Sequence, residues 1–362
     1  MIHTATLTLQ PSQSTFQIFQ NNPKTYFLKQ ENIWMNKEYK SLGIVITGQI
    51  CKFDNFQTYL LTCRINFKRL IEQQDRLSVY TDDDYPKMVT QFNTIMVYMG
   101  GLPTFENWNV NRIDYCINIK TPYVKEYISL MQKGDIPAWQ RLPFNPSSKR
   151  YTNQIGSIYL PAKSRNIKKN KTGSITINFY NKHLQQSAGA LKNNEISEAI
   201  LKQSEDVLRL EVQCHRPKID SLKKKYSLEN KKIIHYLSPQ ISFDVLESAI
   251  KSVCHLGDYQ RKSVALGIIE TAKGLHQSTR DDLKSILIGV NRQHQSISKA
   301  RDSLVAAGQF TREKFNQLIK KLDELNINPV TISDNKSIVD KTQKEGLENI
   351  YIPFFNSFNQ FN

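Results

Sequence analysis

Up to about residue 216, runs that alternate apolar and polar residues with a period of two are interspersed with helical stretches, and beyond Pro217 the period turns helical. Ile2 to Leu9 alternates like a strand. Thr25 to Trp34, Ser41 to Lys52 and Thr58 to Phe67 are rich in β-branched and aromatic residues, so residues 1–80 read mostly as strands. A helix follows. Asp84 is a candidate N-cap, Pro86 suits the first turn, Met88, Val89, Phe92, Ile95, Met96 and Met99 fall on one face, and Gly100-Gly101 ends it. Beyond it come a strand over Asn111 to Lys120 and a helix over Val124 to Met131. A Pro-rich connection (Pro137, Pro143, Pro146) then leads to strands over Asn153 to Leu160 and Ser174 to Lys182. A basic loop, Lys163 to Lys171, separates those two. A helical stretch, Glu195 to Gln203, precedes the strand Val207 to His215. Past Pro217 the apolar faces are helical: Val245, Leu246, Ala249, Ile250 and Val253; Leu283, Ile286, Leu287 and Val290; Phe315, Leu318, Ile319, Leu322 and Leu325.

The pattern predicts an α+β fold, with a mostly antiparallel sheet, helices packed on one face and a helical C-terminal domain. The boundaries it suggests are 1–216, divisible into 1–105 and 106–216, then 217–330. Residues 331–362 read as a loop-like tail.

Three of the strands have one apolar and one chemically mixed face. In the first, Ile113, Tyr115, Ile117 and Ile119 oppose Arg112, Asp114, Cys116 and Asn118. In the second, Ile175, Ile177 and Phe179 oppose Thr176, Asn178, Tyr180 and Lys182; in the third, Leu208, Leu210, Val212 and Cys214 oppose Arg209, Glu211, Gln213 and His215. If the three are neighbours, one face is a floor for helices and the other gathers acids, cations and amides. Plain solvent exposure accounts for such a face in many antiparallel sheets. The mixture here suits a metal and a phosphate instead. Asp114 and Glu211, with His215 as a third candidate ligand, could hold Mg²⁺ or Mn²⁺. Arg112, Tyr180, Lys182 and Arg209 could contact a phosphodiester.

Charge strengthens that reading. The 362 residues carry 49 Lys and Arg against 33 Asp and Glu, a net charge of +16, which favours a polyanionic partner. Residues 161–232 hold 16 basic and 7 acidic side chains, so +9 of the surplus falls in a fifth of the chain. No apolar run approaches the roughly 18 residues a membrane span needs, and the N-terminus lacks the pattern of a signal peptide. A cytoplasmic protein without a membrane partner is expected. The five cysteines are odd in number and have no short pairing, which argues against a zinc ribbon or a disulfide framework.

Cutting a phosphodiester requires a nucleophile, and tyrosine supplies one that conserves the bond energy. Candidates follow the last strand. Tyr226 lies in Lys223-Lys224-Lys225-Tyr226, Tyr236 follows His235, and Tyr259 stands between Gly257 and the pair Arg261-Lys262. Tyr259 is favoured because Gly257 gives access and the two cations could lower its pKa.

Four segments occur in one order: Thr58-Tyr59-Leu60-Leu61-Thr62-Cys63-Arg64-Ile65-Asn66-Phe67-Lys68-Arg69-Leu70, Arg112-Ile113-Asp114, Ile177-Asn178-Phe179-Tyr180-Asn181-Lys182, and Leu208-Arg209-Leu210-Glu211-Val212. That order resembles the rolling-circle replication initiators of plasmids and filamentous phages, the gene II/X and Rep_trans-like group, over roughly residues 1–270. The resemblance implies a metal-dependent tyrosine nickase that cuts and religates one strand at a replication origin, single-stranded or in a hairpin. By position it implies Asp114 and Glu211 as metal-binding acids, Lys182 and Arg209 as phosphate contacts and Tyr259 as nucleophile, with a host polymerase and helicase as partners and a homodimer left open. Tyr180-Asn181-Lys182 departs from the Tyr-Asp-Lys common in that group and removes one acid. No His-x-His pair is present, which fits a carboxylate-held metal.

A tyrosine recombinase should show His-x-x-Arg, and none exists. Phosphate-binding Gly-rich loops are also missing, which disfavours an ATP-driven role. The competing expectation is a non-enzymatic, sequence-specific DNA-binding protein such as a repressor or partition factor. Its reading element would be the helices Ile297 to Val305 and Thr311 to Leu325, joined through Ala306-Ala307-Gly308.

Overall fold

The computed structural model describes residues 1–54, 56–72, 79–136, 156–161, 173–193, 197–291, 296–334 and 346–359, excluding the side chains of 189–193. The Pro-rich connection and the basic loop Lys163 to Lys171 lie outside these residues. Among the described residues, nine strands form one antiparallel sheet. They are β1 (Ile2–Leu9), β2 (Thr25–Leu28), β3 (Ile33–Asn36), β4 (Ile44–Phe53), β5 (Phe56–Asn66), β6 (Asn109–Lys120), β7 (Ser157–Leu160), β8 (Ile175–Asn181) and β9 (Val207–Cys214). Their order is β2-β3-β4-β5-β1-β6-β9-β8-β7.

That order follows one rule applied twice. β1 leads into helix α1 (Gln13–Asn21) and then a meander whose last strand, β5, returns to pair with β1. After α2 (Phe67–Ile71) and α3 (Tyr85–Tyr98), β6 leads into α4 (Val124–Met131) and then β7, β8 and β9, the last of which returns to pair with β6. The two leading strands lie side by side at the centre, with Ala5 opposite Ile113.

Burial follows the two-residue period. Leu61, Cys63 and Ile65 of β5, Ile113 to Ile119 at alternate positions of β6, and Leu208, Leu210 and Val212 of β9 are buried on one side. Helix α8 (Pro239–Cys254) packs against β6 and β9 there, and α4 packs against β7 and β8. The sheet and these helices share one apolar core. The C-terminal helices also include α9 (Lys262–Thr271), α10 (Gln277–Asn291), α11 (Ile297–Ala306) and α12 (Arg312–Glu324). They pack on one another, and their buried apolar residues belong to the same cluster as the sheet's.

Two helices depart from expectation. α1 interrupts the stretch read as strands. Ser12 caps it by accepting from Thr15 N, and Phe16 and Phe19 are fully buried against Gly48, each contributing about 2–3 kcal/mol by burial. Its Ser, Thr, Ile, Phe and Asn residues have modest helix propensity, so tertiary packing decides the conformation. The expected loop-like tail contains α13 (Tyr351–Asn359), following α5 (Lys182–Asn193), α6 (Glu198–Gln203) and α7 (Arg216–Lys225) earlier in the chain. Phe354 and Phe358 anchor α13 against Phe243 of α8, at ring distances of 5.8 and 4.7 Å. An Asn-rich composition hid those anchors.

Candidate nucleic-acid interface

The sheet's second face carries the polar residues, and its burial changes across the strands. Thr4, Thr6 and Thr8 of β1 and Thr62 of β5 are half-buried, and Arg64 is exposed. Toward β9 the face closes: Asp114, Cys116, Arg209 and Glu211 are buried. The chemistry therefore sits at a border reached from the β1 side.

At that border Arg112 grips Asp114, donating from Nε to Oδ1 at 2.8 Å and from Nη2 to Oδ2 at 2.6 Å. The Thr4 hydroxyl also donates to Asp114. Asp114 is only 1% exposed, so both its oxygens are engaged before any ligand arrives. Glu211, across the β6–β9 pair, accepts from Gln213 Nε2 at 3.1 Å. His3 Nδ1 lies 3.3 Å from its Oε2, within ion-pair range but not aligned for a hydrogen bond. Burial pushes the Glu211 carboxyl up, but His3, the Gln213 amide and the Arg209 charge outweigh it and hold it at about 2. His215 follows β9 and bonds Thr176 Oγ1 through Nε2 at 3.1 Å; burial and the Arg112 charge lower its pKa.

Sequence reasoning missed His3. It falls in an irregularity of the β1–β6 register, between the pairs Ile2–Tyr115 and Thr4–Asp114, so a period-two reading assigns it to the wrong face. The arrangement also departs from the expected metal centre. Asp114 is held by Arg112 and Thr4, and among the described residues no three His, Cys, Asp or Glu side chains converge. The donor set as arranged does not fit Mg²⁺ or Mn²⁺.

Two expected phosphate contacts are enclosed. Arg209 is 0% exposed, donating from Nε to Asn118 Oδ1 at 2.7 Å and bonding Tyr180, whose phenol burial raises. Lys182 opens α5, is buried, and donates to Gln185 Oε1 at 2.7 Å. Both are enclosed and tied to neighbouring side chains, so as arranged they organise the interior and do not face an open groove.

Tyr259 also differs from expectation. It lies in β10 (Tyr259–Gln260), which pairs with β11 (Gly346–Leu347), and packs edge-on to Tyr127 of α4 at 6.2 Å. At 1% exposure, with its hydroxyl beside the buried Cys254 thiol and its pKa raised by burial, it stands in the helical layer, away from the acids. Gly257 gives no access. A Cβ there would meet Ile327 C at 2.2 Å, so the glycine serves a close backbone approach. Arg261 and Lys262 begin α9 beside it and are half-buried.

Tyr226 is different. It caps the C-terminal end of α7, half-buried, and its hydroxyl donates to Asp244 Oδ2 at 2.5 Å. Lys225 pairs with the same carboxylate and stands 4.8 Å from the ring centre, and Lys224 is exposed. One turn back, Lys223 enters a cleft of about 560 Å³. Its walls are Thr8, Gln10 and Thr62 on the sheet side, Asn109 and Asn111 at the start of β6, and Arg216, Lys223, Asn230 and Lys231 on the α7 side. Three cations with amides and hydroxyls between them match a phosphate backbone. The cleft adjoins the carboxylate border through the chain itself, since Arg112 follows Asn111 and Arg216 follows His215.

Comparison with protein-family models, with curated proteins and with solved structures gives no match to this chain.

Proposed function

We propose that this protein binds DNA in the cleft between β1, β6 and α7 and nicks one strand there, acting as a replication initiator of the rolling-circle kind. The observation that carries the reading is the cleft itself: three cations and a set of amides, with a phenol–carboxylate pair one helical turn from Lys223. In this reading Tyr226 is the nucleophile. Asp244 takes its proton, the phenolate oxygen forms the bond to phosphorus, and the 3′ oxygen leaves and takes a proton from water. The 5′ phosphate stays on the tyrosine, and religation reverses the steps. Arg112, held flat by Asp114, and the cleft lysines balance charge on the phosphate.

The test uses supercoiled DNA carrying the gene's own flanking region, with Mg²⁺ or Mn²⁺ present and absent, resolved under denaturing conditions. Wild type and Tyr259→Phe should give open circles with protein attached, and Tyr226→Phe should give none. Adducts that survive in Tyr226→Phe sink the assignment.

A second reading, sequence-specific binding without cleavage, is favoured by the helix pair α11–α12. Thr311 caps α12, whose outer face exposes Arg312, Lys314, Lys320 and Lys321. Specific binding to the same DNA with no nick by wild type would select it.

A further inference from the structure

The β4–β5 hairpin ends in two aromatic side chains that no packing among the described residues explains. Phe53 and Phe56 face each other across the last pair of the ladder, their rings stacked at 4.7 Å and 18°. They are 55% and 61% exposed, the most open phenylalanines among the described residues. Leaving two large apolar rings in water forgoes the burial that would normally fix such side chains in a core.

Their direction is set by the ladder. Phe56 shares its face with Leu60, Thr62 and Arg64, because residues two apart on a strand point the same way. Leu60 and Thr62 line the cationic cleft. The rings therefore stand on the cleft's side of the sheet, four residues or about 14 Å along β5 from its wall. Lys52 and Gln57, the neighbouring pair, point to the opposite face and are exposed. The tip also carries an exposed acid, Asp54, which disfavours a phosphate there. A backbone anion would avoid this tip; the flat face of a base would not.

We infer that the Phe53–Phe56 pair is a stacking platform for unpaired DNA bases, receiving the strand that runs out of the cleft along β5. The occupant is a single strand because a base inside a duplex has both faces covered by its neighbours, whereas an unpaired base presents one to the rings. Phosphates of that strand are held in the cleft and at Arg64, and its bases at the tip. The inference rests on the DNA-binding reading above and adds that the bound form is unpaired at this end.

The experiment titrates fluorescein-labelled oligothymidine and a labelled duplex of the same length into wild type and into double variants at the tip. Because both rings are exposed, Phe53→Ala/Phe56→Ala should keep the wild-type circular dichroism and thermal midpoint. It should bind oligothymidine about ten-fold more weakly, the lower range for losing a stacked aromatic, with duplex affinity unchanged. Phe53→Leu/Phe56→Leu, apolar without a ring face, should lose as much, and Phe53→Trp/Phe56→Trp should bind at least as well as wild type. Single-strand affinity unchanged in the alanine variant, full retention by the leucine variant, or equal losses on duplex and single strand would each overturn the platform while leaving DNA binding in place. Failure of wild type to bind either probe would overturn the DNA reading and the platform together.

Discussion

Arg112 and Asp114 occupy alternate positions of one strand and hold each other through two parallel hydrogen bonds, one end buried and the other reaching the surface. Removing the arginine strands a buried carboxylate, whereas exchanging it for lysine keeps the charge but not the fork. Arg112→Ala should cost about 2 kcal/mol in denaturant unfolding, below the 3–5 of a fully buried pair because Arg112 is partly hydrated, and Arg112→Lys less. Glu211 makes a separate prediction. Its carboxyl is held at about 2 against an ordinary 4.5, so the folded state prefers it ionised. That contribution is complete above pH ~5 and is lost as pH falls toward 2, amounting to about 3 kcal/mol across the window. Glu211→Gln should therefore show a flatter loss of stability with acid than wild type. Parallel acid-unfolding curves for the two proteins would refute it.

Helices and strands with strong periodicity were legible from residue types alone, and those whose identity depends on a distant partner were not. The helix after Asp84 and the apolar stripes of α8, α10 and α12 match their expected residues because each carries several anchors at helical spacing. α1 has its two buried anchors at Phe16 and Phe19, and α13 needs Phe243 from a helix a hundred residues away. The candidate site divided in the same way. Period two placed Asp114, Glu211 and Arg209 on one face, but only the fold reveals which of them is enclosed and which border is open. His3 was hidden by the β1 irregularity, and Tyr259 was misjudged because an adjacent glycine reads as access when its role is contact. Gly257→Ala tests that role: the added methyl would meet the backbone of Ile327 and Asn328, so a loss of 2 kcal/mol or more is expected on thermal or chemical unfolding. Wild-type stability in that variant would show that the two segments can separate freely.

Across the whole molecule, the charge of +16 is spent unevenly, and the cleft concentrates three cations where the sheet meets α7. Binding there should weaken steeply with salt. Lys223→Gln and Lys231→Gln should each lower the slope of log affinity against log salt by about one, in a filter or anisotropy assay. Lys231 also pairs with Asp220, so its replacement frees an acid and should cost more than that of Lys223. An unchanged slope in both variants would move the interface elsewhere.

The central position of β1 carries a consequence for how the chain is made. Its two neighbours are residues 56–66 and 109–120, so a strand that precedes both in the chain waits for both before it is covered on its two sides. Until β6 emerges from the ribosome, β1 presents a bare hydrogen-bonding edge and an apolar row, the combination that invites pairing with another nascent chain. Contacts of such long sequence separation also slow folding. Translation pace through the stretch between β1 and β6 and the supply of chaperones, more than final stability, should therefore set how much native protein accumulates.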